Sequence, residues 1–279
     1  MPGYGPGINQ NWSLITGISR NAGVICCTAS CNLGSVALRE TADAGATGHK
    51  QQATSFKQQA TSDKRQAVDK KVLKDYIGHM KTEEALKIIG GSLSKPSKMP
   101  GWSIGLPAKE CKTGGKLQKV KGSVCYDCYA LKGCYVFKVV QDAQYRRLAA
   151  IQSPLWVQAM AHLINSKKPD VFRWHDSGDV QDLDHLKKIY EVCQLTPGKK
   201  HWMPTREAWI KDHLDGKPDN LVIRFSAPMV DQRAPASWPN SSEVVNSNAS
   251  CPAPKQNNEC RDCRQCWDPK IKTVSYGKH

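Results

Sequence analysis

The chain has 279 residues, length enough for one large domain or two small ones, with 39% hydrophobic and only 7% aromatic residues. No apolar run approaches the roughly 20 residues that span a bilayer. The faintly signal-like stretch from Ser13 to Leu38 is broken by Arg20, Asn21 and Asn32 and lacks a basic start, so neither a membrane span nor a secretion signal is expected and a cytoplasmic location is. Twelve cysteines in such a chain point to metal rather than to disulfides. The formal charge of +15, most of it beyond residue 91, favours a polyanionic partner, nucleic acid being the obvious one.

Residues 1–66 are rich in Gly, Ala, Ser, Thr, Asn and Gln, and repeat Gln-Gln-Ala-Thr-Ser at Gln51–Ser55 and Gln58–Ser62. That composition buries too little surface to offset chain entropy, so a disordered extension is expected there, with a folded metal-binding domain over 67–279. From Ala67 the period is helical, with Val68, Val72, Leu73, Tyr76, Ile77 and Met80 on one face; a second short helix through Leu86, Ile88 and Ile89 stops at Gly90-Gly91.

After a turn-rich link over 92–105, helices and strands alternate. Val136–Ala150 is amphipathic, with Val136, Val140, Ala143 and Leu148 on one side. The next helix opens at Ser153-Pro154, a capping residue followed by proline, and buries Leu155, Trp156, Ala159, Met160, Leu163 and Ile164. Three strand-like runs follow, Val171–His175, His201–Met203 and Leu221–Phe225, separated by helices around Leu183–Cys193 and Ala208–Leu214. Strand–helix repeats with short connections imply an α/β fold: a short parallel sheet with right-handed crossover helices, resembling part of a barrel, with Cys-rich loop regions attached.

The strongest chemical signal is the tail: Cys251, then Cys260, Cys263 and Cys266, followed by Trp267. Cys-x2-Cys-x2-Cys with a fourth cysteine nearby turns successive thiolates toward different irons of a 4Fe–4S cluster. One zinc is the alternative, although a zinc ribbon wants two separated Cys-x2-Cys pairs. A second group is Cys111 with Cys125 and Cys128. A Cys-x2-Cys pair ahead of a helix is a recurring ligand arrangement, and Cys111 completes a three-cysteine set that leaves one position for another ligand or a substrate. Alternatively, Cys125/Cys128 and Cys260/Cys263 share one zinc. Cys134 reads as a packing residue and Cys193 as core. Cys26, Cys27 and Cys31 lie in the low-complexity extension and are read as non-functional; Gly34 stands where Cys27-x3-Cys31 would need its third cysteine.

The chain resembles the phage gene product 88 family over about residues 91–279. The resemblance rests on Ser94-Lys95-Pro96-Ser97-Lys98-Met99-Pro100-Gly101, on Cys125 and Cys128 with Tyr129-Ala130-Leu131-Lys132-Gly133, on Phe172-Arg173-Trp174-His175-Asp176-Ser177-Gly178-Asp179, on Pro204-Thr205-Arg206-Glu207, and on the Cys-rich tail with His279. It implies a bacteriophage origin, action in the host cytoplasm and an iron–sulfur cluster. It implies no particular activity.

In parallel α/β sheets ligands sit beyond the carboxyl ends of the strands. Here those ends gather His175, Asp176, Ser177 and Asp179, then Arg206 and Glu207, then Arg224 and Ser226, a rim able to bind an anion or to perform acid–base chemistry. The same residues suit scaffolding: Ser177 or Asp179 can cap the helix near Asp182, and Thr205 with Glu207 can organise the next helix start. Trp174, Trp202 and Trp209 read as core, and Asp176 and His279 as candidate non-cysteine ligands. The leading expectation is an iron–sulfur protein with redox or cluster-dependent chemistry. The competing ones are a basic nucleic-acid-binding module with a structural zinc site, and a zinc protein that engages a host partner.

Overall fold

The computed structural model describes residues 79–278. The boundary near residue 66, the helix expected from Ala67, the cysteines at 26, 27 and 31, and His279 lie outside them.

Among the described residues six strands form one all-parallel sheet in strict sequence order: β1 Trp102–Ile104, β2 Val171–Trp174, β3 Lys200–Thr205, β4 Leu221–Ser226, β5 Ser241–Val245 and β6 Thr273–Gly277. This is the strand order of a β/α barrel with two strands fewer than the eight-stranded form. β1 and β6 are left as edges. Strands β2 to β4 are buried on both faces, as parallel strands between two layers must be. One face carries Ile104, Phe172, Trp174, Met203, Leu221, Ile223 and Phe225 into the main core. Helices α1 Thr82–Ile88, α4 Trp156–Asn165 and α5 Leu183–Leu195 cover that face, the outcome of crossovers that all take the same hand. The other face turns Val171, Trp202 and Val274 toward Cys266 and Trp267 of the tail.

The α/β class is as the sequence implies, but the sheet is twice as wide as its apolar runs suggest. β1 lies in the turn-rich link, and β5 and β6 lie in the Pro-, Asn- and Cys-rich end. The expected helix at Ala208–Leu214 is a 3-10 segment, Ala208–Gly216. Helix α3, Lys138–Ala150, exists, but its buried residues are Gln144 and Arg147; Val136, Phe137 and Val139 are exposed. Arg147 explains that orientation, since its guanidinium donates to the carbonyls of Gly105 and Ser92 at 3.3 and 2.7 Å. Helix α5 is capped by Asp182 itself, whose Oδ1 accepts from the His185 amide at 2.8 Å, and not by Ser177 or Asp179. Helix α2, Lys112–Leu117, is a short turn just past β1.

Backbone contacts of the tail reach both edges of the sheet. The Cys251 amide donates to the Ser275 carbonyl on β6 and the Cys260 amide to the Lys98 carbonyl ahead of β1, each at 2.9 Å. Trp267 Nε1 donates to the Phe172 carbonyl on β2 at 2.9 Å. The Cys-rich segment therefore spans the seam that the missing strands would fill.

Candidate functional site

The four tail cysteines gather at this seam. Burial raises the Cys260 thiol first, and the Cys251 and Cys263 sulfurs beside it add to the effect. Burial likewise pushes the Cys266 thiol up to about 11, against a hydrogen bond to the Tyr276 hydroxyl at 3.1 Å and the nearby Arg224 charge; Cys251 and Cys260 act on it as well. Three cations thus face the set, Arg224 at Cys266 and Arg173 and Arg264 at Cys260.

Arg224 is fully buried on β4 and donates to six carbonyls: Cys266, Ser241, Ile271, Lys272, Gln265 and Asp268, at 2.8–3.4 Å. Arg173, on β2, stacks over Trp202 with its guanidinium carbon 4.7 Å from the ring centre. Its Nη2 donates to the Tyr129 hydroxyl at 3.2 Å. Arg173 stands in the family segment Phe172–Asp179 and Arg224 in the expected rim, but the signal for their present roles was an arginine inside an otherwise apolar strand.

Cys111, Cys125 and Cys128 form a second, separate set at the carboxyl ends of the strands. An added Cβ on Gly114 would lie 3.6 Å from Cys125 Sγ and 3.7 Å from Cys111 Sγ, so these two sulfurs close around a residue with no side chain. The Cys111 thiol is raised by burial, then by Asp179, and by the Cys128 and Cys125 sulfurs. Arg206 Nε donates to Cys125 Sγ at 3.0 Å, while Nη1 donates to the Ser226 and Ala227 carbonyls at 2.9 and 2.6 Å. Cys128 precedes a 3-10 turn, Tyr129–Leu131, too short for the helix-start effect expected from the sequence. Cys134 is exposed and Cys193 lies in the core. A zinc shared by Cys125/Cys128 and Cys260/Cys263 does not match this division, because Cys125 is held beyond β3 and Cys260 ahead of β1.

The rim residues divide by what they touch. His175 has a left-handed φ of 59° and its buried ring sits 5.4 Å from that of His185. Burial holds the imidazole well below its ordinary range, hence neutral, and neither ring nitrogen has a hydrogen-bond partner among the described residues. Ser177 Oγ donates to the Leu106 carbonyl at 2.8 Å, tying the turn after β2 to that after β1. Asp176 accepts from the Tyr129 hydroxyl through its carbonyl at 2.5 Å, while its Oδ1 is buried without a partner. Glu207 accepts from the Thr113 amide and hydroxyl, both at 2.9 Å, and from Trp209 Nε1 at 3.1 Å. It thereby ties α2, and with it Cys111, to the end of β3.

Asp179 accepts from Val180 N, Thr205 Oγ1 and Arg206 N, each at 2.8 Å. Desolvation nevertheless raises it from 3.8 to about 6. Because the folded value is the higher, the unfolded chain ionises first as pH rises. Stability contributed by this group is complete below about pH 4 and is lost as pH rises to about 6, by roughly 3 kcal/mol. Asp179→Asn should flatten that fall; denaturant midpoints of both proteins at about pH 4 and pH 7 check it.

Among the described residues no three or more His, Cys, Asp or Glu side chains are gathered in a group that could hold a single metal ion, and no helix is long and apolar enough to cross a membrane. The comparisons with curated proteins and with solved structures gave no match. A phage-derived family model, gene product 88, matches residues 71–269, well over half of the chain and including Cys111, Cys125, Cys128 and the whole tail quartet. The chain belongs to the gene product 88 family.

Proposed function

We propose that this is a phage-encoded iron–sulfur protein of the host cytoplasm, in which Cys251, Cys260, Cys263 and Cys266 hold a 4Fe–4S cluster at the seam of the sheet. The observation that carries this reading is that four thiols, spread over sixteen residues of sequence, come within electrostatic reach of one another and of three arginines, Arg173, Arg224 and Arg264. A cluster differs from a single ion in that each thiolate binds its own iron. Four thiolates around an oxidised cubane leave a formal charge of about −2, which Arg173 and Arg224 are placed to offset.

When bound, the cluster supplies one-electron redox chemistry and Lewis-acidic iron. The chain's own residues set its surroundings. Tyr276 shares a hydrogen bond with Cys266, Trp267 and Val274 pack beside it, and Arg224 fixes the turn that bears Cys266. The strand ends on the opposite side of Tyr129, with Asp176 and the Arg206 region, are where a substrate would meet the reactive centre.

Cys263→Ala tests the assignment. The variant should lose about four irons and four sulfides per chain, together with the matching part of the visible sulfur-to-iron absorption. It should also melt lower, because the seam loses its fastening. Colour and iron unchanged in Cys263→Ala would show that the tail is not the cluster site.

A further inference from the structure

We infer that Cys111, Cys125 and Cys128 hold a second 4Fe–4S cluster, whose fourth iron lacks a protein thiolate and takes a small anionic ligand such as a carboxylate or a thiolate. The inference rests on the iron–sulfur reading of the tail and extends it to a different set of residues at the other working end of the fold.

Three features built into the chain converge on this set. The first is space: Gly114 sits against both Cys111 and Cys125, and any side chain there would press on Cys111 Cβ at 3.1 Å and on the two sulfurs. The second is fixation from two strand ends, those of β3 and β4. Glu207, after β3, clamps Thr113 beside Cys111. Arg206 grips Cys125 and is itself anchored on the carbonyls after β4. The Val124 amide, next to Cys125, donates to the Pro228 carbonyl at 2.9 Å. The third is position: all these groups lie beyond the carboxyl ends of parallel strands, where α/β folds bind their ligands.

The open position follows from counting donors. A cubane has four irons and this set offers three thiols. The two carboxylates that act on Cys111, Asp179 and Glu207, each accept three hydrogen bonds and are spent on the scaffold. An open coordination position beside fixed protein ligands is the usual mark of a catalytic rather than a structural metal site. The Arg206 guanidinium beside Cys125 favours an anionic incoming ligand. A half-open cavity of about 380 Å³ is lined by Ala108 and Lys109, close before Cys111 in sequence, and by Ala130 and Leu131, close after Cys128, with Tyr135 and Gln144, a size within the range of small-molecule sites.

The neighbourhood of the two sets is also linked. Tyr129 follows Cys128 in sequence and takes a hydrogen bond from Arg173, which acts electrostatically on Cys260. The quartet thus lies one arginine and one tyrosine away from the triad, a placement suited to passing electrons to a substrate-facing cluster.

The test uses the full chain, prepared without oxygen. Wild type should contain about eight irons and eight sulfides, Cys125→Ala and Cys128→Ala about four of each, and Cys263→Ala the complementary four. A cluster with one iron unprotected by thiolate loses that iron on mild oxidation: the 4Fe–4S core at charge 2+ becomes a 3Fe–4S core at 1+, releasing one Fe²⁺ and one electron, which ferricyanide accepts. Ferricyanide should therefore release about one Fe²⁺ per wild-type chain and produce the 3Fe–4S electron paramagnetic resonance signal. Cyanide added to the reduced, unoxidised protein should shift the spectrum of one cluster only. Cys263→Ala should keep both responses and Cys125→Ala should lose them. Four irons in wild type, all lost in Cys263→Ala and untouched in Cys125→Ala, would overturn the second cluster and leave the first intact. Wild type devoid of iron would overturn both.

Discussion

Arg224→Met is expected to be the most damaging single substitution away from the cysteines. The guanidinium is fully buried and answers six backbone carbonyls, four of them in the turn from Gln265 to Ile271 that carries Cys266 and Trp267. Methionine fills a similar volume and donates nothing. Each carbonyl left without a donor in a buried site costs about 1–3 kcal/mol. Even with partial relaxation the sum rivals the 5–15 kcal/mol of a typical domain. The variant should melt far lower or fail to fold, and its tail should become sensitive to protease. Arg224→Lys, with three donors in place of five, should fall between the two. A melting temperature for Arg224→Met close to wild type would mean that the tail holds itself on the sheet by apolar contact through Trp267 alone.

The second large effect is expected from Glu207→Ala. This carboxylate is buried and takes three hydrogen bonds, two from Thr113 and one from Trp209. Truncation orphans three donors, at about 1–3 kcal/mol each where they stay buried. It also releases α2 from the end of β3, so Cys111 loses the contact that fixes its neighbour. The variant should lose stability and, on the two-cluster account, about half of its iron, with the quartet's share retained. Glu207→Gln keeps one acceptor oxygen and should lose less. Chemical denaturation and iron assay on the same samples separate the two effects: full iron at lowered stability would make Glu207 purely a scaffold residue.

Much of this architecture is legible in the sequence, in a patterned way. Strands β2, β3 and β4 announce themselves because both faces are buried, and apolar runs such as Leu221–Ile223 result. β5 and β6 do not, because their contacts are polar. Ser226 and Ser242 pair through their hydroxyls, as do Ser241 and Thr273, both at 2.9 Å, and no hydropathy pattern marks such a strand. β1 is three residues long and is defined by its neighbours, pairing with β2 on one side and bridging to Ser94 on the other. The inward side of α3 is legible in part: Val140, Ala143 and Leu148 lie on it, with Leu148 packed against the core, but its most buried members are polar. Arg147 is buried because two carbonyls need it, while Val136 and Val139 stay in solvent.

The cysteine groups were visible from spacing, and Cys111 comes within electrostatic reach of Cys125 and Cys128 across thirteen residues of intervening chain. What spacing cannot show is the set of long-range partners. Arg206 bonds Cys125 across 81 residues and Glu207 bonds Thr113 across 94. Arg224, expected on the rim, is instead spent on the carbonyls of the tail, and nothing in the spacing marks Arg173 as a neighbour of Cys260. The rim was legible as a list of residues, but its members have different occupations: Asp179, Ser177 and Glu207 hold loops, His175 is a neutral ring among aromatic neighbours, and Arg206 alone touches a sulfur.

Metal analysis of the full-length chain purified without oxygen tests the central claim most directly. The account predicts a brown protein with equimolar iron and acid-labile sulfide and no stoichiometric zinc. A colourless protein carrying zinc in a fixed ratio, or carrying no metal at all, would contradict it.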